Sequence, residues 1–163
     1  MKRIFIGLMV LALALPPAGT ALAIPPGPKP VPKVLCLAMG ETVATWDTLL
    51  LANKLVGTIP TAEGPIKFFA INGEYVSSPA YSIPLAGTGH VKNGVFHFSV
   101  TGSTLIGTDP ASQYIWTWFI EGFWNLANNS GTCYVQNIDS NGGHYHGPAN
   151  LYPRDWTTVI IPY

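Results

Sequence analysis

The stretch Leu85–Gly102, LAGTGHVKNGVFHFSVTG, decides the fold class of this chain. Asn93-Gly94 at its centre is typical of a type I′ β-hairpin turn, because both central residues of that turn need a positive φ, which Asn and Gly tolerate. After the turn the residues alternate with a period of two, and one face carries Phe96, Phe98 and Val100. This pattern predicts an antiparallel strand whose apolar face packs against a core.

Short apolar runs separated by turn residues extend this interpretation along the chain. Ala44–Ile59 is interpreted as a long first strand with a bulge near Asn53, and a second hairpin is expected at Asn72-Gly73. The other predicted strands are Ile66–Ile71, Ser82–Val91, Val95–Thr101, Gln113–Ile120, Thr132–Ile138 and Asp155–Ile161, with a glycine-rich loop at Asp139–Asn150.

Seven to eight consecutive strands without a crossover helix predict an all-β antiparallel meander. An open sheet of this length would leave exposed edges, so it should close as a small barrel or fold into a two-layer immunoglobulin-like sandwich. The barrel is favoured because long consecutive strands suit up-and-down closure, and the sandwich is the alternative. The size and strand rhythm resemble lipocalin-like and avidin-like barrels. The lipocalin G-x-W signature is absent, because Gly40 and Trp46 are too far apart. The resemblance therefore implies architecture and no function.

The amino terminus has the features of a secretory signal peptide over residues 1–23. Lys2 and Arg3 are followed by the apolar stretch Ile4–Leu15 and by the small-residue site Ala21-Leu22-Ala23. The next segment, residues 24–34, is proline-rich and predicts an extended tether, and residues 35–163 are expected to form a single β domain. The predicted location is secreted or periplasmic, with no membrane span after signal cleavage.

Charge argues against a nucleic-acid partner. The chain has eight basic and eight acidic residues, so removal of Lys2 and Arg3 leaves six against eight, a net charge of 6 − 8 = −2. Nucleic-acid binding needs a cluster of Lys and Arg to displace counterions, and the remaining cations are scattered. The sequence gives no prediction of oligomeric state.

Two cysteines, Cys36 and Cys133, lie near the two ends of the predicted domain. In an oxidising compartment such a pair usually forms a structural disulfide. Closing a loop of about a hundred residues would stabilise the fold by roughly 4–5 kcal/mol in the chain-entropy model. A Cys36–Cys133 bridge is therefore expected.

A set of aromatic residues is the candidate ligand site. Tyr114, Trp116 and Trp118 share one face of a predicted strand, and Trp46 and Phe98 are expected to join them in space. In a barrel such a face either lines a cavity for a small apolar or aromatic ligand or fills the core. Both interpretations stay open on the sequence alone.

Histidines form a candidate metal site. His144 and His146 in an extended segment would project to the same side, and His90, His97 or Asp139 could supply a third ligand to zinc or copper. The alternative is that these are solvent-exposed histidines of a polar, glycine-rich loop. No other cofactor is indicated.

No constellation of catalytic residues is evident. The carboxylates are scattered, and no nucleophile elbow, phosphate loop or H-E-x-x-H motif occurs. The leading prediction is a secreted, non-enzymatic β-barrel module that binds a small apolar or aromatic ligand. A structural or interaction protein of the cell envelope with a filled core is the first alternative, and divalent-metal binding through the histidine loop is the second.

Overall fold

The computed structural model describes residues 27, 29–41, 47–77 and 81–155. Eight antiparallel strands in sequence order form a meander that closes on itself as a barrel, so the predicted fold class is confirmed. The strands are β1 Val34–Gly40, β2 Asp47–Ile59, β3 Ile66–Ser77, β4 Tyr81–Lys92, β5 Val95–Ile106, β6 Tyr114–Asn125, β7 Ser130–Asp139 and β8 His144–Pro153. The ring closes where β1 pairs with β8, from Leu37 opposite Pro153 to Gly40 opposite Asn150.

The β4–β5 hairpin has the predicted geometry. Asn93 and Gly94 have φ values of 51° and 76°, the positive values that a type I′ turn requires. The inward face of β5 is almost completely buried, with Phe96, Phe98 and Val100 between 0% and 4% exposed. The period-two pattern therefore identified the face of this strand that meets the core.

The prediction of a second hairpin at Asn72-Gly73 is wrong. Both residues lie inside β3, where Gly73 is paired with Leu51 on one side and Leu85 on the other. Neither residue has a positive φ. A glycine is needed there for a different reason, because an added Cβ would collide with the carbonyl oxygen of Leu50. The pairing of β3 on both sides prevails over the local turn preference.

The segment predicted to form the first strand, Ala44–Ile59, contains the second strand of the barrel, β2. Val34–Gly40 forms β1 before it, and the bulge in β2 falls between Leu55 and Gly57 rather than at Asn53. β1 shows no alternation because both of its faces are buried, including Cys36 and Ala38 as well as the inward-facing residues. The Arg154 N–H donates to the Cys36 carbonyl, which continues the β8–β1 pairing, and the Arg154 guanidinium donates to the Thr48 hydroxyl.

The final strand lies in the stretch predicted to be a loop. β8 pairs with β7 from His144 opposite Ile138 to Leu151 opposite Gly131, despite its glycines and prolines. Pro148 is tolerated because the pairing of β8 with β1 involves only Asn150–Pro153. The predicted strand Asp155–Ile161 lies outside the described residues except for Asp155, which is not in a strand.

The predicted Cys36–Cys133 disulfide is not formed, and both thiols are free and buried. Cys133 belongs to the interior core, whereas Cys36 alternates with the inward-facing Leu35 and Leu37 and points away from that core. The two side chains thus lie on opposite faces of the barrel wall. A disulfide requires Cβ atoms about 4 Å apart that point toward each other, which this arrangement prevents.

One end of the barrel is filled with aromatic side chains. Phe96 packs edge-on against Phe69 with ring centroids 5.7 Å apart, and Trp124 is 2% exposed nearby. The described part of the proline-rich segment lies at this end, where Val31 packs against the core and the Lys33 carbonyl accepts the Asn53 N–H. The opposite end, where β1, β3, β5 and β7 end, is called the open end below.

Candidate functional site: a cavity at the open end of the barrel

A cavity of about 660 Å³ lies at the open end of the barrel. β6 begins at this end, so the alternation of its side chains brings Trp116 close to the rim and Trp118 deeper inside. β3 contributes Tyr75, and β8 contributes Tyr145. Four aromatic side chains on three strands therefore line one concave space.

The aromatic rings of the cavity form a defined stack. Tyr75 and Trp118 stack with ring centroids 4.3 Å apart and an interplanar angle of 29°. Trp116 meets Trp118 edge-on at 6.0 Å and 87°. Trp118 is 9% exposed and Tyr75 2%, so neighbouring side chains hold these rings in place. Such a rigid aromatic surface suits a flat apolar group, since ring stacking adds to the gain from burial.

Two polar side chains lie among these rings. Asn137 on β7 is directly opposite Trp118 on β6, and both line the cavity. Each is more than nine-tenths buried. The Trp118 Nε1 and Asn137 Nδ2 atoms make no hydrogen bond within the described part of the protein. Buried donors are normally hydrogen-bonded, so this pair is an exception that an acceptor supplied by a ligand would remove.

The charged side chains that line the cavity are both acidic. Asp47, at the start of β2, is 6% exposed, and Glu41 follows the end of β1. Among the described residues around the cavity there is no Lys or Arg. The site therefore combines aromatic surface, two hydrogen-bond donors and two acidic side chains.

The structure brings together part of the predicted aromatic set. Trp116 and Trp118 line the cavity, whereas Phe98 packs against Phe96 in the core, with ring centroids 6.0 Å apart. Tyr114 contacts Trp116 edge-on at 6.0 Å and does not line the cavity. Trp46 lies outside the described residues.

Sequence reasoning missed Tyr75 and Asn137. Tyr75 continues the alternation of Phe69 and Ile71, but the turn predicted at Asn72-Gly73 interrupted that pattern. Asn137 occupies the inward face of β7 together with Cys133 and Val135. A polar residue in phase with apolar ones was the signal that could have revealed it.

The histidines lie on the outer surface of the barrel. The rings of His144 and His146 stack with centroids 6.2 Å apart, and His146 Nδ1 is hydrogen-bonded to the Tyr134 hydroxyl at 2.8 Å. Asp139 is engaged elsewhere, because its carboxylate accepts the backbone N–H groups of Asn141 and Gly143. No group of three metal-ligating side chains occurs among the described residues.

The other two histidines belong to a row of rings across the outside of the barrel. His90 on β4 and His97 on β5 stack with centroids 4.9 Å apart. Phe68 lies 6.3 Å beyond His90, and Phe123 lies 6.2 Å beyond His97. Burial, and secondarily the neighbouring His90, lowers the pKa of His97 below its usual 6.5. Phe68, His90 and His97 of this row line a groove of about 530 Å³ that also reaches the buried Phe69 and Phe98.

Comparison of the chain with protein-family models, curated proteins and solved structures finds no match. Across the described ranges, no helix is long and apolar enough to cross a membrane. A functional assignment therefore rests on the chemistry of the cavity at the open end.

Proposed function

We propose that this chain is a secreted, non-enzymatic binding module that takes a small apolar or aromatic ligand into the cavity at the open end of its barrel. The observation that carries the proposal is the cavity of about 660 Å³ lined by Tyr75, Trp116 and Trp118. Its volume lies within the range of about 300–1,000 Å³ typical of small-molecule sites.

The lining supplies enough apolar surface for useful affinity. A ligand that buries about 200 Å² of apolar surface gains roughly 5 kcal/mol at 25 cal/mol per Å². Stacking on a ring such as Trp116 adds about 0.5–1.5 kcal/mol. The loss of translational and rotational freedom opposes these gains, so micromolar rather than nanomolar affinity is expected for a simple aromatic compound.

The competing function, a structural or interaction protein of the cell envelope, predicts a filled core. The aromatic packing around Phe96 meets that description at one end of the barrel, but the cavity at the open end does not. The outer row from Phe68 to Phe123 is the surface that an interaction role would use. A measurement of ligand binding at the open end therefore distinguishes the two functions.

Secretion rests on the sequence of residues 1–23, which lie outside the described residues. Expression of the full chain in an exporting bacterial host, followed by mass spectrometry of the exported product, tests it. A mature chain beginning at Ile24 is expected. Retention of the full-length chain in the cytoplasm would contradict secretion and leave the binding proposal intact.

The binding test uses the neutral fluorophore N-phenyl-1-naphthylamine, whose emission rises in apolar surroundings. Saturable binding at one molecule per chain is expected for the wild-type protein. Trp116→Ala should weaken it at least tenfold, because the ring near the rim is lost. Phe119→Ala is the matched control, since this aromatic residue is also on β6 but is 41% exposed and outside the cavity lining.

Circular dichroism of both variants would establish that the barrel is retained. An absence of saturable fluorescence with the wild-type protein would overturn the proposed function. Equal affinity of the Trp116→Ala and Phe119→Ala variants would likewise show that the fluorophore binds elsewhere.

A further inference from the structure

We infer that the natural ligand of this cavity presents a neutral carbonyl-type acceptor to the Trp118 indole N–H and the Asn137 amide N–H. This inference rests on the proposed function and specifies the ligand class for the same site. It follows from two buried donors that have no acceptor among the described residues.

The strand register sets the two donors side by side. Trp118 and Asn137 are direct partners in the β6–β7 pairing and line the same cavity, so both side chains point into the barrel. Direct cross-strand partners have Cβ atoms about 5 Å apart. Each donor atom has less than 1 Å² of accessible surface, so a ligand oxygen that accepts from both must displace side chains at the cavity wall.

The chemistry of the donors restricts what can satisfy them. An indole N–H donates and never accepts, so the ligand group at Trp118 must be an acceptor. The side chains are 9% and 7% exposed, so their donors have little access to bulk water. A buried donor left without a partner carries its full desolvation penalty, and a ligand acceptor would relieve it for both residues.

The charge of the site selects a neutral acceptor over a carboxylate. Asp47 and Glu41 line the same cavity, and its described lining includes no Lys or Arg. A ligand carboxylate would lie close to these acidic groups, and like charges at short range repel. A ketone, amide or lactam oxygen accepts the same hydrogen bonds without that repulsion. Fatty acids are therefore disfavoured as ligands.

Three compounds of nearly equal size test this inference by calorimetry. 2-Acetonaphthone carries the carbonyl, 2-isopropenylnaphthalene replaces the C=O with C=CH₂, and 2-naphthoate replaces the methyl ketone with a carboxylate. The ketone should bind the wild-type protein at least tenfold more tightly than the alkene. It should also bind more tightly than the carboxylate at neutral pH.

Two variants locate the effect at the paired donors. Trp118→Phe keeps a ring but removes the N–H, and Asn137→Leu keeps the shape but removes the amide. Each should reduce the preference for ketone over alkene to less than threefold, and this ratio is the readout because Trp118 itself lines the cavity. Trp124→Phe is the matched control, because it removes an indole N–H from the same strand at the filled end and should keep the full preference.

The possible outcomes separate this inference from the proposed function. If all three compounds bind with equal affinity, the cavity binds ligands but the acceptor requirement is wrong. A preference for the carboxylate would overturn the inference in the same way, as would a full ketone preference retained in both Trp118→Phe and Asn137→Leu. If none of the compounds binds while N-phenyl-1-naphthylamine does, this inference fails and the proposed function stands; if the fluorophore also fails to bind, both fail.

Discussion

Burial decides the chemistry of the two cysteines at the level of single residues. The apolar surroundings raise the pKa of Cys133 to about 12. Burial also raises the pKa of Cys36, although Arg154 opposes part of that shift. Thiolates are the reactive form, so Cys133 should be inert in the folded protein. The positions of the two cysteines in the sequence suggested a disulfide. The alternation of side chains along β1 and β7 instead places Cys36 and Cys133 on opposite faces of the barrel wall.

Reduction should therefore leave the stability of the folded protein unchanged. Dithiothreitol should not measurably change the urea midpoint. Loss of a disulfide bridge would lower the free energy of unfolding by roughly 4–5 kcal/mol. A thiol assay in denaturant without reductant should count two free thiols per chain. A marked fall in stability on reduction would mean that a disulfide forms after all.

His97 introduces a dependence of stability on pH. Its pKa in the folded protein is below the usual 6.5, first because the ring is desolvated and second because His90 lies beside it. Above pH 6.5 both the folded and the unfolded states carry neutral His97, and this residue has no effect. As the pH falls below 6.5 the unfolded state takes up the proton first, so stability decreases until the folded pKa is passed.

Two measurements check this expectation. The urea concentration at the unfolding midpoint should decrease when the pH is lowered from 7.5 to 5. The His97→Asn variant should show a smaller decrease. In ¹H–¹⁵N spectra of the imidazoles, His90→Asn should raise the pKa of His97 partway toward its usual value, because the electrostatic contribution of His90 is removed. A His97 pKa that His90→Asn does not change would contradict the assigned contribution of His90.

Glycines let strands approach each other closely at the level of the elements. At Gly122 on β6 an added Cβ would lie 2.8 Å from Cβ of Cys133 and 2.8 Å from Cζ of Phe98. Gly57, next to the bulge in β2, has nothing within 4 Å of the corresponding position. Both glycines lie within strands, but their packing surroundings are opposite.

Alanine substitutions should separate these two glycines. Gly122→Ala is expected to lower the free energy of unfolding by about 1–3 kcal/mol, the usual cost of overpacking a core. Gly57→Ala should stay within about 0.5 kcal/mol of wild type, as is usual for open surface positions. Urea denaturation of both variants measures the difference. A larger loss from Gly57→Ala than from Gly122→Ala would contradict the packing described here.

The barrel as a whole divides into a filled end that provides stability and an open end that has room for a ligand. Phe96, with 0% exposure, lies at the centre of the filled end and contacts Phe69 and Phe98. Trp116 at the open end is only partly buried. Large side chains at the two ends should therefore contribute differently to folding and binding.

Phe96→Ala should destabilise the protein by about 3–5 kcal/mol, the usual cost of a phenylalanine cavity in a core. Trp116→Ala should cost less stability while weakening the binding of N-phenyl-1-naphthylamine. Thermal unfolding with and without the fluorophore gives both quantities, because a ligand that binds only the folded state raises the Tm. A Trp116→Ala variant less stable than Phe96→Ala would contradict this division of roles.

The sequence by itself determined the fold class and part of the site. The turn at Asn93-Gly94 and the alternation through Phe96 depend on local backbone geometry and a period of two, both of which can be read from neighbouring residues. The same alternation placed Trp116 and Trp118 on one face, and both line the cavity.

Only the tertiary structure decided which residues meet across the barrel. It continued β3 through Asn72-Gly73, separated Cys36 from Cys133, and set Asn137 opposite Trp118. These outcomes depend on register and on which strands are neighbours, properties of pairing between segments distant in sequence. The pattern of one segment therefore predicts which faces are buried, and the closed ring of eight strands fixes which side chains share a cavity.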